Sequence, residues 1–339
     1  MNRVIITGGN GFIGKHLVKK ILSCNLNSLT LISNSANFGD KYFSNRKFSK
    51  NTPLRSYTAD IRDRKAISEI LLRESADTCI HLAAKTSVPD SIKNPDETME
   101  INANGTLNVL DACHRSKVNN FVFASSAAVY GDAKELPISE NCFLRPLSPY
   151  GKSKMLAEQH VFRYRKLKKI QNTIVLRIFN VYGDGQVSES DVVTKFARRL
   201  SKGLPPVIYG DGKHTRDFIS VDDVAEAIIL SVGAMEDGSN KNYKSSLNPV
   251  FNIGTGTSTS IKELAQKMIS ISGLKLDPIY EEENQESRII LHSCANITNA
   301  KKALHFVPKK DFDTGLREVI EPLHLSKRVS HDGSNTLKT

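Results

Sequence analysis

Thr7-Gly8-Gly9-Asn10-Gly11-Phe12-Ile13-Gly14 follows a short β-branched run, Arg3-Val4-Ile5-Ile6-Thr7, and opens a stretch in which Phe12, Ile13, Leu17, Val18, Ile21 and Leu22 recur at helical spacing. This is strand, glycine turn, helix. In a dinucleotide-binding βαβ unit Gly8 permits the tight turn, Gly11 lets backbone N–H groups approach a pyrophosphate at the helix N-terminus, and Gly14 lets the helix pack close to the sheet. Phe12 and Ile13 open that helix beside the phosphates. A glycine triplet alone is an ordinary turn; the strand before and the helix after make it a cofactor site.

Working outward, further strands are predicted at Ser28–Ile32, Leu54–Ala59, Thr78–Leu82, Phe121–Ala124 and Ile174–Ile178, with a long helical pattern through Ile101, Leu107, Val109, Leu110 and Cys113. Strands alternating with helices imply an α/β fold, a Rossmann-type doubly wound parallel sheet. Beyond Asn180 the pattern turns to α+β, with helices near 192–200, 222–232, 260–272 and 314–323. These readings divide the chain into a dinucleotide-binding domain (1–180), a smaller substrate domain (181–325) whose elements interleave with the first, and a polar tail (326–339) expected to be disordered.

The 339 residues are 39% hydrophobic and 24% charged, as in an ordinary globular protein with a sizeable core. Lys plus Arg exceed Asp plus Glu by 47 − 36 = 11. That balance favours anionic partners: phosphorylated small molecules, nucleic acid or an acidic membrane surface. Five cysteines, at 24, 79, 113, 142 and 294, show neither metal-ligand nor disulfide-framework spacing. No metal site is expected. The apolar start is too short for a signal segment, and no stretch approaches about 18 apolar residues, so a cytoplasmic protein without membrane spans is predicted.

Chemistry enters with Tyr150-Gly151-Lys152-Ser153-Lys154. Ser148-Pro149 reads as a helix cap followed by proline at the first helical position, which puts Tyr150 and Lys154 on one face of the opening turns. An ammonium beside a phenol favours the phenolate, so Lys154 is expected to lower the Tyr150 pKa. By itself such a pair is usually a solvated face. Around the cofactor, Asp60-Ile61 either brackets an adenine or includes the cap of the next helix, and Leu82-Ala83-Ala84 offers small side chains where a cofactor backbone must pass. The acidic residue that usually ends the second strand and takes a ribose hydroxyl is missing. Ser33 or Asn34 would bond a hydroxyl, or Lys41, Arg46 and Lys47 would meet a 2′-phosphate; the sequence leaves NAD and NADP both open.

With this glycine turn, Ser126 in Ser125-Ser126-Ala127-Ala128-Val129-Tyr130-Gly131, and the Tyr150/Lys154 pair, the chain resembles the extended short-chain dehydrogenase/reductases from residue 1 to about 320. More narrowly it is similar to their NAD-dependent nucleotide-sugar epimerases and dehydratases. His81-Leu82-Ala83-Ala84, Asn102-Ala103-Asn104-Gly105-Thr106, the run Arg177–Gly183, Tyr209-Gly210-Asp211-Gly212 and Thr215-Arg216-Asp217-Phe218-Ile219 carry that likeness. The resemblance implies a UDP-hexose 4-epimerase: Tyr150 as general base on the sugar 4-hydroxyl, Ser126 sharing that hydrogen bond, and Lys154 binding the nicotinamide ribose. Relatives that dehydrate or decarboxylate carry an acid just after the serine, where this chain has Ala127-Ala128; that departure argues for an epimerase.

The resemblance also implies that Asn180 and Arg216 contact the pyrophosphate, and that Val207-Ile208-Tyr209 present backbone edges to the uracil. In Arg216 the competing role is an ion pair with Asp217 or Asp222. Where relatives carry a second arginine this chain has Glu286; either Arg288 replaces it or Arg216 acts alone. Ser87, after the fourth strand, lines the sugar pocket or is plain loop. Homodimerisation through the helix near Asn94 and the Tyr150 helix follows from the same likeness. The alternatives are a reductase of a nucleotide 4-keto sugar, less readily a dehydratase, and, outside enzymes, a basic scaffold that binds nucleic acid or a membrane surface.

Overall fold

The computed structural model describes residues 3–24, 26–35, 52–186, 191–237, 249–282 and 290–332. Six strands, β1 (Arg3–Thr7), β2 (Ser28–Ser33), β3 (Leu54–Thr58), β4 (Thr78–His81), β5 (Asn120–Ser126) and β6 (Asn172–Ile178), pair in parallel in the order 3-2-1-4-5-6. A seventh parallel strand, Val250–Ile253, comes from the second half of the chain and pairs with β6. Because the two faces of β1 alternate, Val4 and Ile6 enter one apolar cluster and Ile5 the other. The first cluster holds the helices Phe12–Ile21 and Val221–Glu236; the second holds Arg64–Glu74, Gly105–Arg115 and Pro149–Lys166. Burial on both faces explains why these strands read as near-continuous apolar runs.

A third core belongs to the later chain, where Tyr182, Phe196, Leu200, Ile208, Phe218, Leu264, Met268, Leu316 and Ile320 pack together. Small two-stranded pairings border it: Asn180–Tyr182 with Phe218–Ser220, Thr215–Arg216 with Thr259–Ser260, and Val207–Tyr209 with Ile279–Glu281.

Several expectations need amendment. The pattern from Ile101 to Cys113 is one helix interrupted by a wider π turn over Glu100–Asn104 before the regular helix Gly105–Arg115. The last helix runs Phe312–Asp332, so residues 326–332 are helical rather than part of a disordered tail. Polar composition misled here: no helix breaker stands between Leu323 and Asp332, and Gly333 follows at once. Lys41, Arg46, Lys47, Glu286 and Arg288 lie outside the described residues. Among the described residues no helix is long and apolar enough to cross a membrane, and no cluster of His, Cys, Asp and Glu forms a candidate metal site.

Candidate active site

The glycine turn has the shape its sequence demands. Gly8 adopts φ +74°, and a Cβ there would lie 2.7 Å from the backbone nitrogen of Ala83. A side chain at Gly14 would collide with the Gly8 carbonyl and come within 2.7 Å of the Gly9 carbonyl oxygen. Gly11 is the N-cap of the first helix in extended conformation, and its N–H donates to Gly8 O at 2.9 Å. The result is a concave backbone edge with helical N–H groups facing out, and Leu82, Ala83 and Ala84 half-buried alongside. Among the described residues Asn10 Oδ1 is buried without a hydrogen-bond partner in this same turn. A cradle that side chains would fill, with an unsatisfied polar atom in it, fits a dinucleotide.

Behind the cradle, buried His81 locks the strand ends. Thr106 Oγ1 donates its proton to Asn102 O at 2.6 Å, so the 2.9 Å contact with His81 Nε2 requires that nitrogen to donate. Nδ1 is then the acceptor for Thr7 Oγ1–H, 2.6 Å away. Burial, and next the charge of Lys154, push the imidazole down to about 3, consistent with a permanently neutral tautomer.

At the other cofactor positions the assignments are mixed. Ser33 is buried and ends β2, while Asn34 is exposed just beyond. Asp60 is held by Arg62, which donates through Nη2 at 2.7 Å and through Nε, and this pairing keeps the carboxyl below its usual range. The helix cap expected of Asp60 belongs to Asp63, which accepts from Lys65 N and Ala66 N. Ile61 is buried beneath Gly105, where a Cβ would lie 2.7 Å from its Cδ1.

The catalytic candidates converge at the carboxyl edge of β5. Ser148 caps the helix Pro149–Lys166 by accepting from Gly151 N at 3.1 Å, as the sequence suggests. Gly151 then lets the helix touch the turn after Ser126, since a Cβ there would lie 2.6 Å from Ala128 O. Ser126 stands beside the buried Tyr150 phenol and favours its ionised form. Lys154, 3% exposed, donates to Ala124 O at 2.8 Å and lies 4.8 Å over the Phe123 ring. Its ammonium is pushed down to about 7 by burial, with Glu158 opposing.

The expected effect of Lys154 on Tyr150 needs correction. Burial pushes the phenol up, and the group that lowers it is Ser126. Desolvation is the larger cause, and the Lys154 ammonium bonds the Ala124 carbonyl.

On the other side of the cleft, Arg216 donates to Thr215 O at 2.8 Å and Leu291 O at 3.3 Å. Asp217 is taken up elsewhere: buried, it accepts from Thr255 N, Gly256 N and Ala295 N. Asp222 pairs with His16 at 2.9 Å and Lys310 at 3.4 Å. Asn180 lies in register with Phe218 and donates its N–H to Asp217 O. In the Val207–Tyr209 strand Ile208 is fully buried, so that residue offers only backbone to a ligand, while Tyr209 is exposed. Ser87 caps the helix Val88–Lys93, accepting from Asp90 N at 3.2 Å.

Sequence reasoning missed the layer beneath these groups. Glu158 and Arg177 are both buried and form a two-pronged ion pair at 3.0 and 2.8 Å. A charged residue inside the apolar run Ile174–Ile178 was the available signal. Asn102, inside the π turn, clamps Lys85 N and O and donates to Ser153 Oγ on the catalytic helix.

A glycine-lined dinucleotide cradle joined to a Ser/Tyr/Lys cluster defines an NAD-linked Rossmann enzyme, and the model of the NAD dependent epimerase/dehydratase family matches residues 4–254. The chain belongs to that family. Its structure superposes on UDP-glucose 4-epimerase of Thermotoga maritima with UDP-glucose (TM-score 0.83, 30% identity, 97% of this chain and 100% of that one). It is similar to UDP-N-acetylglucosamine 4-epimerase of Methanobrevibacter ruminantium in complex with UDP-N-acetylmuramic acid (TM-score 0.82, 31% identity, 96% and 98%). The UDP-glucose 4-epimerase of Thermus thermophilus in complex with NAD also matches along its length (TM-score 0.80, 30% identity, 95% and 99%).

Proposed function

We propose that the chain is an NAD-dependent UDP-hexose 4-epimerase, acting on UDP-glucose and UDP-galactose or their N-acetyl forms. The carrying observation is the convergence of Ser126, Tyr150 and Lys154 beside the glycine cradle, with Ala127-Ala128 rather than an acid after the serine. Solved relatives that hold UDP-glucose or NAD support both ligands.

Bound NAD supplies reversible hydride acceptance at C4. The chain's own residues manage the proton and the geometry. Tyr150 takes the proton of the 4-hydroxyl and returns it after the keto sugar turns its other face; Ser126 holds that oxygen in line; Lys154 binds the nicotinamide ribose. Gly8, Gly11, Phe12, Ile13 and Gly14 cradle the pyrophosphate, with Ser33 or Asn34 on the ribose and Asp60, Ile61 and Leu82–Ala84 along the adenosine half. Residues 181–325 form the nucleotide-sugar side, where Arg216, with Asn180 from the first domain, meets the substrate diphosphate and the Val207–Tyr209 backbone meets uracil, while Ser87 of the first domain borders the sugar. The proposed homodimer forms through the helix that starts after Asn94, at Pro95, and the Pro149–Lys166 helix.

The test is NMR of UDP-glucose and UDP-GlcNAc incubated with purified protein whose bound cofactor is identified by mass spectrometry. Appearance of the C4 epimer with flat absorbance at 340 nm is expected. No epimer from a folded, NAD-loaded protein would overturn the reading, and stoichiometric NADH consumption would replace it with a reductase.

A further inference from the structure

Two successive residues near the end of β5 are tied by hydrogen bonds to two successive turns of the catalytic helix, and a third lies against the turn before them. Ala124 O accepts from Lys154 Nζ at 2.8 Å and Ser125 Oγ donates to Glu158 Oε1 at 2.6 Å, while Ser126 stands beside the Tyr150 phenol. Residues 150, 154 and 158 are four apart and share a helix face. The Ser125–Glu158 tie is braced from behind. Arg177, opposite Ser125 in the β5–β6 register, grips both Glu158 oxygens, and its Nη1 donates to Tyr130 Oη (3.1 Å) and Glu140 O (3.0 Å).

Resting on the epimerase reading, we propose that the Glu158–Arg177 pair is a positioning device for the reaction, fixing the Ser126 strand end on the Tyr150 helix and presenting a carboxylate one turn behind Lys154. Stability alone does not explain such a pair, because well-packed apolar residues of similar volume serve as well or better in a buried position. A carboxylate behind Lys154 favours its ammonium form, which would otherwise lose to burial. Of the other groups around Lys154, the His81 imidazole, the Phe123 ring and the Ala124 carbonyl are neutral, and the Tyr150 phenol, raised by burial, is charged only when it serves as the base. Arg177 is matched by Glu158 itself. Near it the Glu140 carboxyl, pushed up by burial, accepts from Asn252 N and Asn299 Nδ2.

The sign follows directly. Lys154 is charged below its pKa, and removing the Glu158 charge lowers that pKa, so a step needing the ammonium fails at lower pH. In Glu158→Gln, which keeps an acceptor for Ser125, ¹⁵N NMR of the Lys154 ammonium should show titration moved down by about one pH unit. The alkaline limb of kcat should move with it, while KM for the UDP-sugar stays within about twofold. If the lone change unfolds the protein, Glu158→Gln with Arg177→Met removes both charges together and should give a smaller shift of the same sign, because Glu158 lies one turn from Lys154 on the same helix face. Ser125→Ala, which leaves the ion pair intact, should lower kcat about tenfold without moving the Lys154 titration. Identical Lys154 titration in wild type and the charge-removed variant, or wild-type kcat in Ser125→Ala, overturns the proposal. The NMR titration needs no turnover, so absence of epimerisation would sink the substrate reading and leave this result standing.

Discussion

Tyr150 is 8% exposed, and burial opposes its ionisation. Tyr150→Phe keeps the ring packing and removes only the proton acceptor. Its kcat is expected to fall by about 10²- to 10⁴-fold with little change in melting temperature, measured by NMR turnover and calorimetry. His81 makes a different prediction. Its folded pKa is about 3 against an ordinary 6.5, so below 6.5 the unfolded chain takes up a proton that the folded chain refuses. Stability from this neutral ring is complete above 6.5 and is lost as pH falls toward 3. Urea midpoints across that range should fall less steeply in His81→Gln than in wild type. Ser126, Tyr150 and Lys154 were legible because their spacing and neighbours are local. Glu158 was not, since its partner Arg177 is 19 residues away and only the sheet register puts Ser125 opposite that arginine.

At the scale of elements, legibility follows how far the deciding contact reaches. The Ser148 cap and Pro149 lie side by side in sequence, and the helix begins where they say. The π turn at Glu100–Asn104 and the two-residue strands at 215–216 and 259–260 answer to tertiary partners and leave no periodic trace. Glycines test the same distinction. Gly14→Ala would press on the Gly8 and Gly9 carbonyls and is expected to cost about 1–3 kcal/mol in urea unfolding, with lower NAD content by mass spectrometry. Gly185→Ala, at φ +77° with nothing within 4 Å, carries only the backbone penalty of about 1–2 kcal/mol and should retain its NAD.

The whole molecule is not two beads on a string. Parallel β1 to β6 could be inferred from alternating strands and helices, but the seventh strand is separated from β6 by residues 179–249 and lands on it because both edges are apolar. Phe251 and Ile253 join the same core as Val4 and Leu17. A fragment ending at residue 180 would therefore expose the β6 edge and the core above the first helix. It is expected to bind a hydrophobic dye and to lack a cooperative melting transition, whereas a fragment with the full chain's sharp melt would refute this dependence.

That late strand also sets an order of events during synthesis. At about 5–20 residues per second, a ribosome needs several seconds to pass from Ile178 to Val250. Through that interval the nascent sheet has an open edge at β6 and the cofactor cradle stands on an unfinished core. The sheet that carries the catalytic edge can close only after about 250 residues have been made, because its last strand begins at Val250.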